Sequence, residues 1–170
     1  MNQNEKILIG LSACLAGESV RYDGGHKKNE LILQKLAEHF NFQTFCPEVL
    51  IGLGVPRDPI HLRIMIGGIR AVHTEDKTRD YTEALQASAQ SMGPLNGFIF
   101  KARSPSCAIM TAPLHDEKGE ELEGKFSSGV FVAQLQKYFP GLPIIDEEEI
   151  LNVDSRKEFI RKVEVYSSFV

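Results

Sequence analysis

The sequence predicts a single α/β domain over 1–170: a mostly parallel sheet with helices on both faces, in a Rossmann-like three-layer arrangement. Two observations carry this. Four short segments rich in β-branched and aromatic residues alternate with longer segments of helical periodicity. Such alternation makes βαβ units, whose crossovers leave the strands parallel and covered on both faces.

Taken in order, "KILIGLSA" (6–13) is the first strand. The segment "KKNELILQKLAEHF" then carries Leu31, Leu33, Leu36, Ala37 and Phe40 at roughly helical spacing. The second strand is "FQTFCP" (42–47). A second helix fits "RDYTEALQASAQSM", with Tyr81, Ala84, Leu85 and Ala89 on one face, and "NGFIFKA" (96–102) is the third strand. "SGVFVAQLQKYF" supplies the next helical stripe, Val130, Phe131, Ala133, Leu135 and Phe139, before the fourth strand, "LPIIDEE" (142–148). The tail "DSRKEFIRKVEVYSSF" opens on an N-cap pair, Asp154 and Ser155, and places Phe159, Ile160, Val163 and Tyr166 on an apolar stripe.

Composition narrows the function classes. With 170 residues, 42% hydrophobic and 25% charged, the chain is long enough for one substantial core and is not of disordered composition. A net charge of -4 gives no basic footprint for nucleic acid, which disfavours tRNA as a partner, and nothing to hold an anionic membrane. No apolar run approaches a membrane span. The polar start of "MNQNEKILIGLSACLAG" is a poor export signal, so a cytoplasmic protein is expected.

The three cysteines are Cys14, Cys46 and Cys107: an odd number, widely spaced, with no CxxC pair. Without an export signal they do not read as a disulfide framework. Free cysteines are commonly buried filler, so position has to decide. Cys14 follows the first strand, Cys46 ends the second, and Cys107 lies five residues past the third. In a parallel sheet those positions share the carboxyl edge, where ligands bind. Each also sits in turn chemistry: Gly17 and Gly24-Gly25 after Cys14, Pro47 after Cys46, and "SPS" before Cys107. Three thiolates with no obvious fourth ligand leave a coordination position open, the pattern of a catalytic metal.

"GLSACLAGESVRYDGGHK", "FCPEVLIGLGVPRDP" and "FIFKARSPSC", in this order, resemble the thiouracil desulfidase (TudS-like) family, formerly a bacterial domain of unknown function. "FVAQLQKYFPGLPIIDEEEI" is similar to the family's closing segment. The resemblance implies a [4Fe-4S] cluster bound by Cys14, Cys46 and Cys107, with one iron free of protein ligands. It implies a small-molecule thiolated pyrimidine as substrate, either a thiolated uracil base or its nucleotide, whose thiocarbonyl sulfur is removed hydrolytically as sulfide. It also implies catalytic roles for Glu48, as proton acceptor, and Ser104, as a hydrogen-bonding residue that orients water or the pyrimidine. Two places depart from the family pattern: Ala108 follows the last ligand where the family has glycine, and "PRDPIHLRIMIGG" is less acidic, with His61 where an acid is expected.

Plainer readings stand beside these. Glu48 suits a helix start or an ion pair with Arg57. Ser104 suits a proline turn, and Arg21, Tyr22 and Asp23 suit either a pocket wall or an exposed turn with a local ion pair. The five histidines share no spacing, and His26 or His61 as a fourth ligand would make a Cys3His zinc site instead. "HDEKGEELEGK" reads as a solvated loop, and the "DEEE" stretch as a water-facing helix start. The alternatives to a desulfidase are a hydrolase with Cys107 as nucleophile and a zinc or Fe-S binding module without catalysis.

Overall fold

The computed structural model describes residues 6–169; residues 1–5, which open the segment weighed as an export signal, and residue 170 lie outside them. In chain order the first elements are β1 (Ile7–Ser12), α1 (Ala13–Ala16), α2 (Glu30–Lys35), β2 (Phe40–Phe45) and α3 (Pro47–Leu50). Then come β3 (Ile60–Met65), β4 (Gly68–His73), α4 (Thr82–Gln90) and β5 (Phe98–Phe100). A hairpin of β6 (Ala112–His115) and β7 (Glu121–Ser127) precedes α5 (Val130–Tyr138), β8 (Ile144–Asp146), a 3-10 turn at Glu149–Leu151 and α6 (Val153–Ser167).

The four expected strands form one sheet in the order β2-β1-β5-β8. Every pairing in it is parallel, with Ile9 opposite Phe42 and Gly10 opposite Phe98. Alternation along the strands sorts the core onto two faces. Ile9, Leu11, Ile99 and Ile145 pack with Ile32 and Leu36, and with Phe159 and Val163 of α6. Phe45, Phe98 and Phe100 pack on the other side against Ala89 of α4 and against Phe131, Val132 and Leu135 of α5. Helices therefore cover both faces, as the sequence predicts.

The three-layer expectation is incomplete. A second, mixed sheet of order β4-β3-β6-β7 lies beyond α4 and α5. Its β3-β4 and β6-β7 pairs are antiparallel, and β3-β6 is parallel. Ile60, Leu62, Ala71, Ala112 and Leu114 of this sheet meet Leu85 of α4 and Val130 of α5. Both helices are thus apolar on two sides, and the fold has four layers. "HDEKGEELEGK", expected as a solvated loop, is instead largely hairpin. Asp116 accepts from Lys118 N–H and Glu120 N–H, both at 2.9 Å, and closes the turn between β6 and β7. An edge strand with most side chains in water needs no apolar alternation, so β7 gives no strand signal.

Three local expectations shift. Phe40 begins β2 rather than ending a helix, because α2 stops at Lys35; the buried side chain of α2 is Ile32. The α6 N-cap is Asn152, whose side chain accepts from Asp154 and Ser155 N–H, a contribution of about 1 kcal/mol. The acidic stretch does not all face water: Asp146 is buried and accepts from Glu148 and Glu149 N–H at 3.0 and 2.8 Å. Glu147 turns inward to the Lys101 ammonium and accepts from Ala102 N–H at 2.6 Å. Among the described residues no helix is long and apolar enough to cross a membrane.

Candidate functional site

The parallel sheet delivers one cysteine at the end of each of three neighbouring strands. After β1 the chain makes the single turn α1, which buries Cys14. Gly17 ends that turn at φ 98, a left-handed conformation that glycine adopts without strain. From there residues 18–28 fold back, and Lys27 N–H donates to Cys14 O at 2.9 Å. Cys46 is the N-cap of α3, with Pro47 in the first turn, where its missing N–H leaves nothing unpaired. Beyond β5, Arg103 takes a positive φ of 64. Ser104 Oγ accepts from Ser106 N–H at 3.2 Å and Cys107 N–H at 3.1 Å, which fixes the turn that presents Cys107.

That turn is wedged from behind. At Gly129, the residue before α5, a Cβ would overlap the Ser106 carbonyl and stand 2.6 Å from Cys107 N. Gly129→Ala is therefore expected to destabilise the fold by about 1–3 kcal/mol and to displace the Cys107 turn. The check is a thermal melt together with iron uptake; an alanine variant matching wild type in both would mean that the turn has slack.

All three cysteines, Glu48 and Ser104 line one cavity of about 280 Å³. Arg57 shares the wall, as do Arg21, Tyr22, Lys27, Lys101 and Arg103. Glu48 is fastened at both oxygens: Oε2 accepts from Arg57 Nε at 2.8 Å and Oε1 from Ser106 Oγ at 2.9 Å. The ion pair foreseen for Glu48 is therefore present, and it lies within the site. Arg21 joins the wall while also reaching Asp23 at 3.7 Å, so both readings of that turn hold.

The electrostatics suit thiolates that have cationic partners and do not suit free ones. Burial, then the neighbouring Cys46 sulfur, pushes the Cys14 thiol up to about 11. Burial raises Cys46 too, opposed by the Val49 N–H. Cys107 is raised well above the ordinary thiol value, first by burial and then by Cys46, Glu48 and Cys14. A cysteine nucleophile requires the opposite shift.

Other sequence candidates fall elsewhere. His61 is in β3, stacked on His115 with ring centroids 4.1 Å apart, and His26 accepts from Lys28 N–H; neither lines the cavity. Ala108 is fully buried and packs toward the second sheet with Leu62 and Val130, so its methyl group does not narrow the cavity. Three partners were not evident in the sequence: Ser106, the Lys101–Glu147 pair, and Ser12, whose Oγ accepts from Lys101 N–H at 3.1 Å. Ser12 and Ser106 each lie within two residues of a cysteine, the one sequence signal that marks them.

Among the described residues no three His, Cys, Asp or Glu side chains converge as ligands to a single ion. In an iron-sulfur cluster each thiolate takes its own iron, so the sulfurs need not meet at one point about 2.3 Å away, as they must for zinc. Three thiols around one cavity, two buried and one half-buried, with the Cys46 sulfur raising the other two, are a donor set that fits a cationic multi-iron group.

A family profile described as 2-thiouracil desulfurase matches residues 9–148. An uncharacterized protein, YbbK of Bacillus subtilis, is 30% identical over 156 residues, covering 86% of this chain and 99% of its own length. A solved structure described as [4Fe-4S]-dependent thiouracil desulfidase TudS (DUF523Vcz) superposes with a TM-score of 0.59 at 27% identity. That match covers 91% of this chain and 99% of the other.

Proposed function

The chain belongs to the 2-thiouracil desulfurase family, and on that premise we propose that it removes sulfur hydrolytically from a thiolated uracil base or nucleotide, using a [4Fe-4S] cluster held by Cys14, Cys46 and Cys107. One observation carries the reading: thiols from three strand ends open onto a single cavity, with a fastened carboxylate, Glu48, on its wall. When bound, the cluster supplies a Lewis-acidic iron without a protein ligand, with affinity for a thiocarbonyl sulfur.

The chain's own residues do the rest. Glu48 accepts the proton of a water whose oxygen bonds to the thiocarbonyl carbon, and returns it to the ring or to the departing sulfur. Ser104 Oγ already accepts two N–H groups, so its own hydrogen is left to donate toward water or the pyrimidine. Atoms balance as thiocarbonyl plus water giving carbonyl plus hydrogen sulfide, with no net electron. Apolar wall groups, among them Val20, Phe45 and Pro105, suit the flat ring and limit water. Lys27 and Arg21 on the wall supply positive charge to which a nucleotide phosphate can pair.

The alternative of a Cys107-nucleophile hydrolase lacks a base of the usual kind, since no histidine lines the cavity, and all three thiols are raised. The deciding experiment is anaerobic reconstitution followed by assay of thiouracils and thiouridine monophosphate without an electron donor. Equal amounts of sulfide and oxo product are expected, only from iron-loaded protein. Turnover by iron-free protein would overturn the reading.

A further inference from the structure

We propose that Arg57 is the positioning residue of this site, holding the Glu48 carboxylate and the Cys46 sulfur in fixed relation, with Ser106 locking the second carboxylate oxygen. The inference rests on the desulfurase reading and extends it to residues outside the cysteine, glutamate and serine set.

One guanidinium joins the Glu48 carboxylate, the Cys46 sulfur and the loop that follows Cys14. Nε donates to Glu48 Oε2 at 2.8 Å. Nη1 donates to Val20 O at 2.8 Å, in the segment that follows Cys14, and to Gly54 O at 3.1 Å. Nη2 stands 4.0 Å from Cys46 Sγ, within reach of an N–H···S bond. The Arg57 backbone N–H also donates to Tyr22 O at 2.8 Å. On the far side, fully buried Ser106 donates to Glu48 Oε1 at 2.9 Å from the residue just before Cys107. Each carboxylate oxygen is therefore held from a different cysteine-bearing segment.

Only a planar fork with five donors makes these contacts together; a lysine ammonium supplies the charge without the span. The Arg57 and Glu48 side chains are 9% and 12% exposed, so the pair is largely dry. Buried pairs add little to stability on balance, which argues that this one is kept for geometry. With two lone-pair directions occupied, the remaining ones on Glu48 aim in a fixed direction, as a base must toward its water. An N–H directed at a ligand sulfur withdraws charge from it and raises the potential of the metal group that it binds.

The test compares anaerobically reconstituted wild type with Arg57→Gln, Arg57→Lys and Ser106→Ala. Iron content, melting temperature, cluster reduction potential, and kcat and KM for 2-thiouracil are measured on each. Arg57→Gln is expected to load iron, to shift the potential negative, and to lower kcat about 10- to 100-fold with a smaller change in KM. Arg57→Lys should recover part of kcat, through its charge on Glu48, but leave the potential low because the reach to Cys46 is gone. Ser106→Ala should lower kcat and leave the potential unmoved. Wild-type potential and kcat in loaded Arg57→Gln would overturn the proposal, as would kcat losses that merely follow iron content or melting temperature across the three variants. Should Arg57→Gln fail to fold, the lysine and Ser106 variants still decide. A wild-type chain that takes up no iron would instead sink the desulfurase reading itself, before any variant is compared.

Discussion

Cys107→Ala is expected to abolish desulfuration and to lose the iron that wild type takes up on anaerobic reconstitution. Wild type should bind about four irons and four sulfides per chain and show the broad visible absorption of a cluster. The variant has only the thiols of Cys14 and Cys46 left, on two separate strand ends. Two ligands leave half of the irons without protein thiolate, and the group is not retained through purification. The fold should survive. Cys107 packs among Phe45, Phe100 and Phe131, and removing one sulfur from such a core costs roughly 1 kcal/mol, the scale of a buried methylene. Its turn is held independently by the Ser104 hydroxyl and by Ala108 N–H to Ser104 O at 3.0 Å. Iron and sulfide analysis, a visible spectrum and a thermal melt decide the matter. Full iron content in the variant would remove Cys107 from the ligand set. Persistent turnover by the iron-free variant would overturn the cluster-dependent reading and also exclude Cys107 as a nucleophile.

Why the cysteines were legible in the sequence, and their partners were not, has a physical reason. A parallel strand buried on both faces must be apolar throughout, so "KILIGLSA" and "NGFIFKA" stand out, and whatever follows them lands at the carboxyl edge. That places Cys14, Cys46 and Cys107 from local pattern alone. The second sheet lacks such a pattern. β3 carries His61 and Arg63, which satisfy each other at 3.1 Å, and β7 lies at an edge in water. Charge on a strand can be read as a strand only once its partners are known. The Glu48–Arg57 pair, 9 residues apart, could be foreseen, but not the reach of Arg57 to Val20 and Cys46. Nor could Ser106, which meets Glu48 across 58 residues of chain through a loop whose approach is fixed by tertiary packing. Glu147 is the same case. Four acids in a row look solvated, yet one of them turns in to Lys101 on the cavity wall, 46 residues away.

Glu48→Gln is expected to separate iron loading from turnover. The amide keeps the size of the side chain and an oxygen to accept from Arg57 Nε, and the Ser106 hydroxyl can rotate to accept from the new NH2 group. None of the three cysteines is touched, so full iron loading and an unchanged spectrum are expected. What is lost is the capacity to take a proton, and kcat should fall about 10²- to 10⁴-fold, the range for removing a positioned base. Arg57 is left without its counter-charge in a largely dry setting, which should lower stability by roughly 2 kcal/mol. A melt must accompany the kinetics so that this loss is not mistaken for catalysis. Adding Arg57→Gln closes a double-mutant cycle. If Arg57 acts by aiming the carboxylate, its removal should lower kcat far less in the Glu48→Gln background than in wild type. Equal losses in both backgrounds would mean that Arg57 works through Cys46 alone. Wild-type kcat in fully loaded Glu48→Gln would put the base elsewhere, and Ser104, whose hydroxyl already accepts two N–H groups, could not take its place by accepting a third.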